Sequence, residues 1–148
     1  MSPATRIDPY IIGNFLVEID GITSASFSEI SGLEASIDVI DYRNGDSKVD
    51  SVQKLPGLNK FTNITLRRGM VPDLSLWNWM QTGLNGNVQR TSVSITLLDR
   101  ADNPVWRWNL TNAWPCKWAA PVLNAQSNVV AIETLEICYE GLAVSLGN

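Results

Sequence analysis

The chain contains no histidine. That absence removes the commonest general base, the usual serine and cysteine triads, and the commonest transition-metal ligand. Carboxylate-only catalysis survives it, but the acidic residues are scattered through expected strands and turns with no focused cluster. An enzyme is therefore not expected, and no cofactor is indicated. Cysteine is nearly absent too. Cys116 and Cys138 are the only two, with no CxxC pair, which is poor material for a metal site. Both fall in expected strands and are read as two buried thiols in preference to a disulfide. No apolar run reaches about 18 residues, so no membrane span is expected. The opening Met1-Ser2-Pro3-Ala4-Thr5-Arg6 has no apolar core region, so no secretory signal is expected. The product should assemble in the cytosol unless lysis or a dedicated machine releases it. Positive charge is scarce: 11 Lys and Arg stand against 15 Asp and Glu, a net charge of -4. That balance argues against specific nucleic-acid binding through a basic surface, although not against a surface past which a polyanion slides.

What is present is a globular composition, 45% hydrophobic and 18% charged over 148 residues. This suits one domain, 1–148, with a real core. Residues 1–7 read as a loose arm. From Asn14 to Asp20 the chain alternates, with Phe15, Val17 and Ile19 on one face. Gly21 supplies a turn, 23–31 a second strand and 33–42 a third. In the third, Leu33, Ala35, Ile37 and Val39 oppose Glu34, Ser36 and Asp38, a half-buried pattern. Residues 43–60 hold Asn44-Gly45-Asp46-Ser47 and Pro56-Gly57. They read as a long loop, of the kind that contacts a partner. Strand period returns over 61–68, with Ile64 and Leu66 inward.

The period then changes. Pro72-Asp73 opens a helix over 72–84, with Asp73 as cap or first-turn acid. Trp77, Met80 and Leu84 form its expected apolar stripe, with Leu74 and Leu76 close by. A long strand over 88–99 follows, then a polar turn at Asp99-Arg100-Ala101-Asp102-Asn103. The next strand begins near Pro104, with Trp106, Trp108 and Leu110 on one face and Pro115 marking an edge or bend. Residues 119–127 read as a loop, 128–140 as the last strand and 142–148 as a tail. Seven or eight strands and one helix predict a mainly antiparallel β-sandwich or squashed β-barrel with one flanking helix.

Asn63-Ile64-Thr65 and Asn109-Leu110-Thr111 match the glycosylation pattern, by chance without a secretory signal. Gly83-Leu84-Asn85-Gly86 follows a helix where a phosphate loop would open one. The six tryptophans fit core or subunit contact better than sugar platforms, so a carbohydrate-binding β-sandwich is the reading from a different class. Strands 33–42 and 128–140 carry few edge-blocking charges, and a ring of copies would satisfy such edges. Glu34, Ser36, Asp38, Thr134 and Glu136 are then candidates to face a water-filled bore, with an ordinary solvated sheet face as the equal alternative.

Several segments resemble a known family in order along nearly the whole chain. They are Asp8-Pro9-Tyr10, Asn14-Phe15-Leu16-Val17-Glu18-Ile19-Asp20-Gly21, Phe27-Ser28-Glu29-Ile30-Ser31-Gly32-Leu33-Glu34, Tyr42-Arg43 and Lys54-Leu55-Pro56-Gly57. Asn63-Ile64-Thr65-Leu66-Arg67-Arg68-Gly69, Leu76-Trp77-Asn78-Trp79, Trp108-Asn109-Leu110-Thr111-Asn112-Ala113-Trp114-Pro115, Ile132-Glu133-Thr134-Leu135-Glu136 and Glu140-Gly141-Leu142 continue the match. Together they resemble the contractile phage-tail tube proteins, above all the inner-tube subunits of extracellular contractile injection systems and R-type bacteriocins. They are more remotely similar to the Hcp tube of type VI secretion. Cys138 stands where the family pattern suggests an aliphatic or small residue.

The resemblance implies hexameric rings stacked into a hollow tube inside a contractile sheath. Two hairpins per subunit would line the lumen, with the helix outside. Residues 43–60, including Arg43, Asn44, Gly45, Asp46, Lys54, Leu55, Pro56 and Gly57, would reach the next subunit or ring. It also implies sheath, baseplate or spike, and cap proteins as partners, and cargo passing through the lumen. A minor tube or baseplate-adjacent paralogue is the alternative within the family.

Overall fold

A computed structural model describes residues 6–25, 27–43, 45, 52–126 and 128–147. Ten strands and one helix follow in the order β1 (Asn14–Ile19), β2 (Ile22–Ala25), β3 (Glu29–Ser31), β4 (Ala35–Tyr42), β5 (Gln53–Phe61), β6 (Ile64–Gly69), α1 (Ser75–Leu84), β7 (Thr91–Leu98), β8 (Pro104–Ala119), β9 (Ile132–Cys138) and β10 (Gly141–Leu146). Eight strands form one antiparallel sheet in the order β2-β1-β7-β8-β9-β6-β3, with β10 also on β8. The remaining two, β4 and β5, pair only with each other among the described residues. The sheet path is open, so the sandwich half of the expected fold describes the molecule and the closed barrel does not.

The long strand β8 makes one sheet serve as two layers. Its first half lies between β7 and β10, and its second half pairs with β9. The break comes at Asn112, which takes a positive φ of 51°, a conformation asparagine tolerates better than most residues. Across the gap between β9 and β10, the Asn112 amide donates to Glu140 at 2.9 Å and the Glu140 N–H to the Thr111 carbonyl at 3.0 Å. A Cβ at Gly141 would lie 2.4 Å from the Thr111 hydroxyl, so a larger residue here would require the Thr111 side chain to shift. The core draws on both halves: Val17, Ile19, Val93, Ile95 and Leu110 from one, Ile64, Leu66, Leu135 and Ile137 from the other. Each such burial contributes about 1.5–3 kcal/mol before the chain-entropy cost.

The helix differs from its expected form in two ways. It begins at Ser75, and its buried residues are Leu76 and Trp79, while Leu74 and Leu84 are exposed and Trp77 and Met80 half-buried. Trp77 instead meets Trp118 of β8 edge-on at 5.0 Å. Asp73 precedes the helix and holds its start: its carboxylate accepts the Ser75 N–H and hydroxyl, both at 3.0 Å. These bonds, the backbone one first, hold the Asp73 carboxyl below its ordinary range.

Beneath the helix start lies a buried charge. Arg68 donates through Nε to Glu133, through Nη1 to the Asp73 carboxylate at 3.3 Å and through Nη2 to the Asp73 carbonyl at 3.2 Å. Trp118 donates its indole N–H to the other Glu133 oxygen at 3.0 Å. With Arg68 only 2% and Glu133 5% exposed, the pair is tolerated because its hydrogen-bonding capacity is largely used. It ties β6, β9, β8 and the helix start to one point.

Other boundaries also depart from the expectation. The span 23–31 divides into β2 and β3, and 128–140 shortens to β9. The expected tail forms β10, and much of the expected loop 43–60 is β5. Pro56 and Gly57, expected in that loop, sit in β5 opposite a register shift between Ile37 and Val39. A two-stranded sheet with a bulge accommodates both.

Candidate assembly surface

The β4–β5 hairpin leaves the main sheet at Gly32. That residue has a φ of 95°, and a Cβ there would lie 2.3 Å from the Asn63 carbonyl oxygen, so glycine fits where other residues would be strained. At the hairpin's base, the Thr62 N–H donates to the Glu34 carbonyl at 3.2 Å and its hydroxyl to the Glu34 carboxylate at 3.3 Å. Phe61 packs on Tyr139 with ring centroids 5.6 Å apart. The Tyr139 hydroxyl is buried without a hydrogen-bond partner among the described residues. Burial first, and then the Glu34 charge, raise its pKa.

Beyond the base, the hairpin stands apart from the body. Along β4 the side chains alternate between two faces. Ala35, Ile37, Val39 and Asp41 share one; Ser36, Asp38, Ile40 and Tyr42 share the other. Lys60 and Lys54 of β5 reach Asp38 at 3.1 Å and Asp41 at 2.9 Å. Both ion pairs are exposed and stabilise little alone. The apolar residues are not half-buried, as the alternation predicts. Ile37 is 57% and Val39 62% exposed, and Ile40, Tyr42, Leu55 and Leu58 are exposed as well. The pattern anticipates two faces correctly, but within this chain neither face is covered.

The candidate bore residues fall into two groups. Ser36 and Asp38 share a face of β4, and Glu34 lies just before that strand. Thr134 and Glu136 lie on β9, opposite Arg67 and Thr65 of β6. Both are half-buried on its outer face, between the buried Glu133, Leu135 and Ile137. Strand β9 is paired on both sides, by β6 and β8, so it offers no free edge for a neighbour, contrary to the edge argument made for 128–140. Strand β4 has one strand neighbour, β5, among the described residues, so its other edge is open.

Of the candidate contact residues, Lys54, Leu55, Pro56 and Gly57 are on β5, and Arg43 and Gly45 are exposed beyond the end of β4. Asn44 and Asp46 lie outside the described residues. Two further apolar groups come together in the fold. One is Val122, Leu123, Val129 and Val130, exposed in the connection between β8 and β9. Its signal was available: adjacent aliphatics at 122–123 in a segment read as loop and at 129–130 in one read as strand. The other is the end of the sheet where Trp106 and Trp108 stack at 6.0 Å beside Val144 and Leu146, with Ile7, Pro9 and Tyr10 of the N-terminal arm alongside the two tryptophans. The two tryptophans are expected in core or subunit contact, but their β10 neighbours are not, because 142–148 reads as a tail.

Both cysteines are free and half-buried. Among the described residues, no three histidine, cysteine or acidic side chains come together as a metal site. No helix among them is long and apolar enough to cross a membrane.

A mainly antiparallel β-domain with an outlying hairpin that leaves apolar side chains exposed on both faces fits the class of structural assembly subunits. The particular family follows from comparison. The family model described as T4-like virus tail tube protein gp19 matches residues 13–143, and the chain belongs to that family. It is similar to a chain of the extended-state sheath–tube complex of PVC, an extracellular contractile injection system. The two are 28% identical, 93% of this chain and 92% of that one are covered, and the TM-score is 0.83. A chain in the six-fold symmetrised baseplate of the anti-feeding prophage is 29% identical over 95% of this chain and 97% of its own, with a TM-score of 0.83. Hcp1 from Flavobacterium johnsoniae shares the fold, at 15% identity over 91% and 96% of the two chains and a TM-score of 0.57. A search of curated proteins finds no match.

Proposed function

We propose that this chain is the repeating subunit of the inner tube of a contractile, phage-tail-like particle. Copies close into six-membered rings, the rings stack, and the resulting conduit is driven through a target envelope by a surrounding sheath. The observation that carries the reading is the β4–β5 hairpin, an ordered pair of strands with apolar side chains exposed on both faces and no third strand of its own. A two-stranded hairpin is marginal alone in water, and neighbouring copies supply what it lacks. The work is mechanical: no bond is made or broken, and rigidity comes from strand pairing and buried apolar contact. Sheath, baseplate or spike, and cap proteins are the partners that this role requires.

The outer face of β9 with Thr134 and Glu136, and the polar residues Glu34, Ser36 and Asp38, are the proposed bore lining. Small polar and acidic groups suit a surface past which cargo slides, since a negative bore repels anionic cargo. Negative-stain microscopy of the purified chain tests the assembly: hollow tubes of stacked rings are expected, and a lone monomer at high concentration would refute it. Reversing charge at Glu34, Asp38 and Glu136 should slow or trap anionic cargo in tubes that still form, and unchanged release would remove the bore assignment. The likeness to a baseplate chain, as high in identity as that to the sheath–tube chain, supports a second reading, a minor subunit that initiates the tube. Single rings without elongation would favour it.

A further inference from the structure

The two cysteines lie close together for a specific geometric reason. Pairing between β8 and β9 runs Trp114↔Cys138 and Pro115↔Ile137, then jumps to Lys117↔Glu136. The residue passed over is Cys116. Strand β8 therefore carries a bulge at this residue, and bulges re-aim the side chain they contain. In an unbroken ladder Cys116 would lie diagonal to Cys138 at about 7–8 Å, beyond the ~4.4–6.8 Å between Cα atoms that suits a disulfide. Here each thiol reaches toward the opposite strand: Cys138 Sγ donates to the Trp114 carbonyl at 3.6 Å and Cys116 Sγ to the Glu136 carbonyl at 3.5 Å. The two thiols are near enough to bear on each other's ionisation. Both are only half-buried, so a small reagent can approach from the outer face of the sheet.

We propose that Cys116 and Cys138 form an intrachain redox site, closed to a cross-strand disulfide by a low-molecular-weight disulfide such as glutathione disulfide and reopened by a dithiol. The site goes beyond the tube reading and does not depend on it. The Cys116 thiolate attacks one sulfur of glutathione disulfide, forming a mixed disulfide and expelling one glutathione thiolate. Cys138 gives its proton to solvent and attacks Cys116 Sγ, forming the Cys116–Cys138 bond and expelling the second glutathione. The protein loses two electrons and two protons, and one external disulfide becomes two thiols.

The local chemistry makes closure slow, which suits a group that stays reduced in a reducing compartment. Burial raises both thiols, Cys138 to about 11, while Glu136 opposes ionisation of Cys116 and Lys117 favours it. Arg90 favours the Cys138 thiolate. The Asn63 amide donates to Cys116 Sγ at 3.6 Å, a contact that strengthens when the sulfur carries charge.

The test uses the full chain, folded, at mildly alkaline pH with excess glutathione disulfide, followed by acid quench, intact mass and peptide mapping. The expected product has lost two hydrogens, retains no glutathione and yields a peptide joining Cys116 to Cys138. Cys116→Ser and Cys138→Ser should each keep one glutathione, because the resolving thiol is gone. A native-sequence chain that retains glutathione, or that keeps both thiols titratable under conditions where the serine variants react, overturns the proposal.

Discussion

The eight-stranded body and the β4–β5 hairpin are written in the same alternating code, yet they end in opposite environments. In the body, Val17, Ile19, Ile64, Leu66, Leu135 and Ile137 are all buried. Even the charged residues that point inward, Arg68 and Glu133, are paired. In the hairpin, Ile37, Val39, Ile40 and Leu55 alternate or cluster in much the same way and remain exposed. Alternation specifies which residues share a face; it does not specify what covers that face. The body finds its cover within the chain. The hairpin keeps strand-forming residues that add nothing to the core, and their cost in exposed apolar surface makes sense when the cover is another molecule.

The largest expected effect lies in the body. Glu133→Ala leaves Arg68 buried with only Asp73 for company, and loss of one partner of a buried ion pair costs about 3–5 kcal/mol. Urea unfolding of the unassembled subunit should show a midpoint lowered accordingly. A subunit that tolerates this change would mean that the body, like the hairpin, depends on its neighbours for cohesion, and the contrast would collapse.

The hairpin should behave in the opposite way. Ile37→Thr with Val39→Thr keeps β-branched side chains but removes apolar contact worth roughly 1–2 kcal/mol per subunit when covered. Subunit stability should move by no more than about 0.5 kcal/mol, while sedimentation shows tubes shortened or absent. Normal tubes would show that these two residues face solvent in the assembly.

Much of the body could be read from sequence because local and tertiary demands agree there. Phe15, Val17 and Ile19 alternate over six residues, and β1 begins and ends within a residue of the expected bounds. The helix was legible as a helix, but its buried face was not. Apolar residues at 74, 76, 77, 79, 80 and 84 supply more than one stripe, and packing selects Leu76 and Trp79. Strand β5 was hidden by Pro56 and Gly57, which a bulged, outlying strand tolerates. Strand β10 was hidden because the corner at Asn112 and Gly141 depends on a positive φ and a close approach to the Thr111 side chain, neither of which periodicity records. Glu34, Ser36 and Asp38 could be sorted from their apolar neighbours by period alone. Placing Thr134 and Glu136 in a different sheet from them required the fold.

The smallest effect concerns pH, and it sharpens the contrast because only the body should respond. Asp73 has an ordinary carboxyl pKa of 3.8 that folding lowers, through its bonds to the Ser75 N–H and hydroxyl and to Arg68. A folded pKa below the unfolded one means that the unfolded state binds the proton more readily. The stabilisation is therefore complete above the unfolded value and drains away as pH falls through the lower folded value. An acid titration of the unassembled subunit, followed by helical circular dichroism and tryptophan fluorescence, should show stability declining below about pH 4. Asp73→Asn should flatten that decline while lowering stability at neutral pH, since an amide oxygen still accepts the Ser75 N–H but brings no charge to Arg68. In the hairpin, the exposed pairs of Asp38 with Lys60 and Asp41 with Lys54 are screened by water and salt. Replacing either lysine with methionine should leave the acid profile of the subunit unchanged. If the acid response instead followed the hairpin lysines, the hairpin would be folded onto the body in solution, and its exposed apolar faces would no longer point to a neighbouring copy.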